Sequence, residues 1–180
     1  LSDEMMQLLR NAKIKESRLI KVMNFLDGSW FEQPSDFQPK TSNETQIRFG
    51  YFGALSKRKR VDWIINSVAD VIQDKSVTSE ILLEIVGEGP ERIHLEGLVR
   101  QRGIEKNVSF RGSVTDVKSH MQECGYILLA SETEGVPRVF MEGMSVGATC
   151  VGPNIGGVAE MLENGNAGYL YEPTSHTALS

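Results

Sequence analysis

The chain has 180 residues, of which 40% are apolar and 24% charged, and its net charge is −5. That is enough apolar material for one large packed domain, so wholesale disorder is excluded, and an acidic chain argues against general nucleic-acid binding. No apolar run approaches the ~20 residues that a membrane-spanning helix needs, and the opening, LSDEMMQLLRNAK, is polar and amphipathic, unlike a signal peptide.

Residues 3–14 read as a short amphipathic helix capped by Ser2. An apolar run, RLIKVMNFL, follows at 18–26, and residues 27–46 hold Gly28, Pro34, Pro39 and several Ser, Asp and Asn, the composition of a linker or long loop. A regular alternation begins at Ile47. Short apolar runs at 47–53, 80–87, 107–112, 126–130, 149–152 and 168–172 read as strands. The stretches 60–74, 90–103, 114–123, 137–146 and 156–164 read as helices, with the i, i+3, i+4 spacing of Val61, Ile64, Ile65, Val68, Val71 and Ile72 as the clearest case. Strand–helix alternation of this kind predicts an α/β fold, a Rossmann-like doubly wound parallel sheet of about six strands. Such sheets bind ligands at the carboxyl ends of their strands. The loops 53–60, 87–90, 111–114, 130–137 and 152–156 are therefore the ones to search. Cys124 and Cys150 sit in apolar surroundings and read as buried free thiols. His94, His120 and His176 show no ligand spacing near either of them, so no metal site is expected.

Loop 53–60, GALSKRKR, carries four cations in an acidic chain. It is either a solvated charge run or an anion site, because it follows a strand and opens a helix. Loop 87–90, GEGP, fits a tight turn as well as a ligand contact. Loop 130–137, ASETEGVP, ends in a proline suited to a first helical turn, so the free N–H groups near residues 135–139 form a second anion cradle. Glu134 then stands at the lip of the pocket, and Glu142 lies about 8 Å deeper at ~1.5 Å per residue. Two acceptor-only carboxylates at those depths can hold hydroxyls on two parts of one ligand; the plain alternative is helix capping by Glu134 and an exposed Glu142.

The stretch ETEGVPRVFMEGMSVGATCVG resembles the signature of the retaining glycosyltransferases of the family 4 class, roughly S-x-x-E-G-x-P/G-x-x-x-x-E-A-x-x-x-G. Ser131, Glu134, Gly135, Pro137, Glu142 and Gly147 match. KRKRVDWIINSVADV resembles the family's K-G-x-D-x-L-I-x-A, IVGEGPERIHLEGLV its V-G-x-G-P, NVSFRGSV its V-x-F-x-G-x-V, and GPNIGGVAEMLENGNAGYLYEP its G-G-x-x-E run. VMNFLDGSWF resembles the segment that joins the two domains of that family, and the matches run in order from about residue 18 to 178.

The resemblance implies one half of a GT-B fold. Residues 1–40 would be the end of an acceptor domain and the interdomain linker, and 41–180 a nucleotide-sugar-binding domain. It implies that Glu134 binds hydroxyls of the donor sugar, Glu142 the nucleotide ribose, and Lys59 the diphosphate, with Glu134 and Lys59 as the catalytic pair. Gly135, Val136 and Pro137 would support sugar and phosphate. Gly53, Gly87, Gly89, Arg111, Gly112 and Val114 would lie along the nucleotide, the 110–114 loop meeting the base through its backbone. The implied partners are a nucleotide sugar, a saccharide or lipid-linked acceptor, and the preceding domain of the same chain. No cofactor or metal and no nucleic acid is implied. The implied location is cytoplasmic, with any membrane attachment residing in the preceding domain. The start without Met and the stop at HTALS read as a piece of a longer protein, expected to be inactive alone.

The chain departs from the pattern at several positions. Ala54 stands where the family has an arginine for the diphosphate, with Lys57, Arg58 and Arg60 as candidates to replace it. Arg60 stands where glycine is usual, Gly143 where alanine is usual, and Ala130 where proline is usual. The alternatives are a sugar-nucleotide epimerase of the same fold, whose motifs differ from the two-Glu signature, and a non-catalytic relative, against which Glu134, Glu142 and Lys59 all stand.

Overall fold

A computed structural model describes residues 2–22, 24–32 and 45–180. Most of the expected linker, 33–44, lies outside the described residues. Helix α1 (Asp3–Asn11) starts where Ser2 Oγ accepts a hydrogen bond from the Met5 N–H at 3.3 Å, the side-chain cap that its sequence predicts. The described residues of the apolar run 18–26 form no strand, and Ile20, Val22 and Phe25 are exposed.

From residue 46 strands and helices alternate: β1 (Gln46–Phe52), α2 (Val61–Gln73), β2 (Glu80–Val86), α3 (Arg92–Arg102), β3 (Val108–Gly112), α4 (Val117–Gln122), β4 (Tyr126–Leu128), α5 (Arg138–Ser145), β5 (Thr149–Pro153), α6 (Gly156–Met161) and β6 (Tyr169–Tyr171). The strands form a six-stranded sheet in the order β3-β2-β1-β4-β5-β6. Every neighbouring pair is parallel, with Gln46 opposite Glu80 and Phe49 opposite Tyr126. This is the α/β doubly wound architecture expected from the alternation.

Helices cover both faces, which is why the strands read as unbroken apolar runs. On one face α2 packs against α3, burying Val61, Ile64, Ile65 and Val68 from its apolar stripe. On the other, α4 packs against α5, and Gly50 and Gly143 bring Cys124 and Ile127 into close contact with the backbone. Cys124 and Cys150 are buried and free, and burial pushes the Cys150 thiol up to about 12. Helix α1 packs on α6: the Asp3 N–H donates to Glu160 at 2.8 Å, and Lys21 bridges the carboxylates of Asp3 and Glu160. The next segment docks on α4, where Lys118 Nζ donates to the carbonyls of Ser29 and Glu32. Among the described residues no helix is long and apolar enough to cross a membrane.

Candidate functional site

The strand order reverses between β1 and β4. The crossovers from β1 run outward through β2 to β3, and the chain then returns to place β4 on the other side of β1. The loops leaving β1 and β4 therefore diverge and leave a crevice at the carboxyl edge. Loop 53–60 forms one wall of that crevice and loop 129–137 the other.

The two walls are held together. Glu132 N–H donates to the Arg58 carbonyl at 3.0 Å, and the Arg58 guanidinium donates to the Thr133 carbonyl at 3.1 Å. Deeper in, Lys59 Nζ meets Glu134 Oε1 at 2.5 Å, with side-chain exposures of only 19% and 12%. Residues 75 positions apart in sequence are thus an ion pair at the switch point of the sheet. Tyr51 lies fully buried beneath them and donates to the Ala54 carbonyl at 2.9 Å. Burial pushes its phenol pKa up, and the nearby Glu134 charge adds to the shift.

A cleft of about 650 Å³ opens over this edge. Its walls include Arg58, Glu132, Thr133, Glu134 and Gly135 from the two loops, Asn154 and Ile155 from the loop after β5, Gly156 from the first turn of α6, and Ser2, Met5 and Leu8 from the α1 segment. Gly157 lets the start of α6 reach the loop after β4, since a Cβ there would stand 1.9 Å from the Gly135 carbonyl oxygen. Gly135 itself faces open space. Pro137 is the N-cap of α5 with no side-chain cap, and Asn24 donates to the Val136 carbonyl at 2.9 Å, so the connection to the preceding segment touches the cradle directly.

The glycines of loops 53–60, 87–90 and 111–114 pack the loops against one another. Gly53 N–H donates to Val86, Leu55 N–H to Glu88, and Gly87 N–H to Gly112, at 2.8–3.0 Å. Cβ atoms at Gly87 and Gly89 would lie 1.9 and 2.2 Å from the carbonyl oxygens of Gly53 and Leu55. The bare glycines let these loops stack backbone on backbone, which fixes the wall that carries Lys59. Arg111 turns its guanidinium back onto the sheet face, to buried Glu84 at 3.0 Å, where His120 also meets Glu84 at 2.6 Å. Val114 is half-buried against the core. The structure therefore brings Lys59, Glu134, Gly135, Val136 and Pro137 together, while the side chain of Arg111 points elsewhere.

Arg60 occupies a left-handed conformation, φ +48, at the start of α2, which costs a non-glycine residue roughly 1 kcal/mol. It is compensated locally: the guanidinium grips Asp62 at 3.0 and 3.1 Å and stacks 4.2 Å over the Trp63 ring.

Glu142 lies one turn inside α5, and burial pushes its carboxyl pKa above the ordinary 4.5, opposed by Arg138 at 3.5 Å. A raised folded-state pKa means that the fold holds this proton more tightly than the unfolded chain does. The protonated form favours folding, and that contribution is lost as pH rises from the ordinary value through the raised one. Glu142→Gln is accordingly expected to raise Tm near pH 7. The gain should vanish on titration below about pH 4.5, a profile that thermal melts across pH would test. Among the described residues no group of three or more His, Cys, Asp or Glu side chains is placed to hold a metal ion.

A protein-family model described as glycosyl transferases group 1 matches residues 32–180. The chain is 30% identical over 162 residues to N-acetyl-alpha-D-glucosaminyl L-malate synthase of Bacillus anthracis, covering 88% of this chain and 42% of that protein. It is 28% identical over 171 residues to lipopolysaccharide 1,6-galactosyltransferase of Salmonella typhimurium, covering 89% and 46%. Its fold matches Anabaena Alr3699/HepE, solved in complex with UDP, with a TM-score of 0.82 at 20% identity over 99% of this chain and 50% of that one. The chain thus spans less than half the length of these two curated relatives.

Proposed function

The chain belongs to the glycosyl transferases group 1 family, and from that premise we propose that it forms the donor-binding half of a retaining GT-B glycosyltransferase. The complete enzyme would move a sugar from a nucleoside diphosphate to a saccharide or lipid-linked acceptor, in polysaccharide, glycolipid or glycoconjugate synthesis. The observation that carries the reading is the Lys59–Glu134 pair at the switch point, where Glu134 and Gly135 line a cleft of about 650 Å³.

In this reading the Glu134 carboxylate accepts hydrogen bonds from sugar hydroxyls, and Lys59 faces the diphosphate. The Glu142 carboxylate receives the ribose hydroxyls. As the bond from the anomeric carbon to the diphosphate oxygen breaks, positive charge develops on the sugar and negative charge on the leaving phosphate. A fixed ammonium and the free N–H groups before α5 stabilise that negative charge without reorganising. The acceptor-binding half is supplied by the part of the enzyme outside these 180 residues.

Titration with UDP, GDP and ADP by calorimetry, followed by Glu142→Ala, tests the reading. One diphosphate is expected to bind with micromolar to millimolar affinity and to be lost in the variant, and the chain alone is expected to bind without transferring sugar. Failure of the complete protein to bind any of the three would overturn it.

A further inference from the structure

Beyond β1, the face of the sheet that α4 touches carries a hollow of about 320 Å³. The register sets Arg48 of β1 opposite Leu82 of β2, and Glu84 of β2 opposite Ser109 of β3, so these side chains share that face. Every residue lining the hollow belongs to β1, β2, β3 or the turn before β3, and none belongs to the cleft at the carboxyl edge. Arg48, Lys106 and Arg111 line it together with Glu84, Glu105 and Ser109. Glu84 is buried, and its Oε1 already meets Arg111 Nε at 3.0 Å and His120 Nδ1 at 2.6 Å. That bond engages Arg111 through one nitrogen. The side chain is half exposed, and its two terminal nitrogens have no partner among the described residues. Arg48 donates only to the neutral Gln46 oxygen, at 3.3 Å. Lys106 is exposed, and among the described residues neither its ammonium nor the Ser109 hydroxyl has a partner. Two of the three cations thus meet no carboxylate, in a chain whose net charge is −5. Like charges gathered in this way repel one another unless an anion joins them.

We propose that this hollow is a second binding site, separate from the carboxyl-edge cleft, for a small soluble phosphate monoester. The proposal stands apart from the donor-binding reading, since the two share no residue. Charge and donors define the ligand class. A phosphate monoester carries about −1.5 to −2 charges at pH 7 and three strong acceptor oxygens. Two uncommitted cations and the free end of a third match that charge. The guanidinium forks of Arg48 and Arg111 offer paired N–H donors, Lys106 a mobile point charge, and Ser109 a hydroxyl. Glu84 and Glu105 oppose an anion. Arg111 offsets the first of them, because its Nε serves Glu84 while its terminal nitrogens serve the ligand. The volume lies at the lower end of the range for small-molecule sites, about 300–1,000 Å³, and accommodates a phosphate with a short organic group. A lipid surface is not the source. None of the exposed large apolar side chains lines the hollow, so it has nothing to bury in a bilayer.

Calorimetric titration of the complete protein at low ionic strength tests the proposal, with glycerol 2-phosphate as the probe and glycerol as its uncharged control. The phosphate is expected to bind and glycerol is not. Arg48→Gln and Lys106→Gln break no ion pair, so the fold should tolerate both, and each is expected to weaken the phosphate about tenfold. Arg111→Gln should weaken it at least as much, but it also removes a partner from buried Glu84 and is read only beside the first two. Glu105→Gln acts in the opposite direction and is expected to tighten binding about twofold. Lys15→Gln, at an exposed position beside α1, should leave the affinity unchanged. Lys59→Met should also leave it unchanged, which separates this site from the carboxyl-edge cleft. Four outcomes would each overturn the proposal: no binding of glycerol 2-phosphate, wild-type affinity in both Arg48→Gln and Lys106→Gln, loss of binding in Lys59→Met, or binding to vesicles containing phosphatidic acid without binding to the soluble probe.

Discussion

Replacing Gly87 with alanine is expected to cost the domain about 2–6 kcal/mol. Two terms add. Gly87 sits at φ +136, a conformation that L side chains rarely adopt, and forcing one there costs about 1–3 kcal/mol. The new Cβ would also stand 1.9 Å from the Gly53 carbonyl oxygen, which is backbone and cannot rotate aside. Overpacking of that kind costs about 1–3 kcal/mol more. Relief requires separating the loop after β2 from the loop after β1, which strains the Gly53-to-Val86 and Gly87-to-Gly112 hydrogen bonds. Against the ~5–15 kcal/mol that holds a typical domain together, the loss is severe. Gly135→Ala is the control, because a Cβ there meets nothing within 4 Å and the position needs no positive φ; its stability should stay within about 0.5 kcal/mol of wild type. Urea denaturation of the two variants gives the comparison. A Gly87→Ala midpoint that matches Gly135→Ala would show that the loops are not stacked as described.

The contrast between these glycines marks where the sequence was legible. The six strands and the helices between them could be read because apolar runs and i, i+3, i+4 stripes report burial directly; β1 was expected at 47–53 and forms at 46–52. Helix α4 starts at Val117, three residues later than its apolar pattern begins, because Asp116 caps it by accepting the Ser119 N–H at 3.1 Å. The run 18–26 could not be placed from pattern alone. A strand needs a sheet edge to join, and among the described residues Ile20 and Phe25 belong to no sheet and remain exposed. The same apolarity in Ile127 and Leu128 is buried because β1 and β5 flank that strand. The GEGP loop looked equally suited to a ligand or a turn. Only the three-dimensional path reveals that its close neighbour is the chain itself. Gly143 has a packing reason as well: the alanine usual in the resembled pattern would bring a Cβ within 2.8 Å of Ile127 Cγ1. At the site, Glu134 and Lys59 were each legible from local motifs. Their contact was not, because it depends on which two strands flank the switch point.

That contact sets the second large expectation. In the complete enzyme, Lys59→Met and Glu134→Gln are each expected to lower kcat about 10²–10³-fold, the loss typical when one preorganised charge or donor leaves a transition state. If the two act as a unit, the double variant falls little further than the worse single one, because groups that cooperate are not additive. The unliganded domain offers an independent reading of the same pair. Each partner is more than four-fifths buried. Lys59→Met leaves the Glu134 carboxylate without its counter-charge in a largely dry site, and Glu134→Gln does the same to the ammonium. Loss of one partner from a fully buried pair costs about 3–5 kcal/mol; residual solvent here reduces the expectation to about 1–3 kcal/mol. The double variant removes both charges and should recover much of that loss. A double-mutant cycle, read once by thermal denaturation and once by initial rates with a labelled sugar nucleotide, separates the two roles. Strictly additive stability losses would mean that the pair does not form in solution. Near-wild-type turnover in Lys59→Met would remove Lys59 from the chemistry even if the pair is real. Coupling in stability with coupling in rate would mean that the substrate inherits an ion pair already built at the switch point, and opens it to bind.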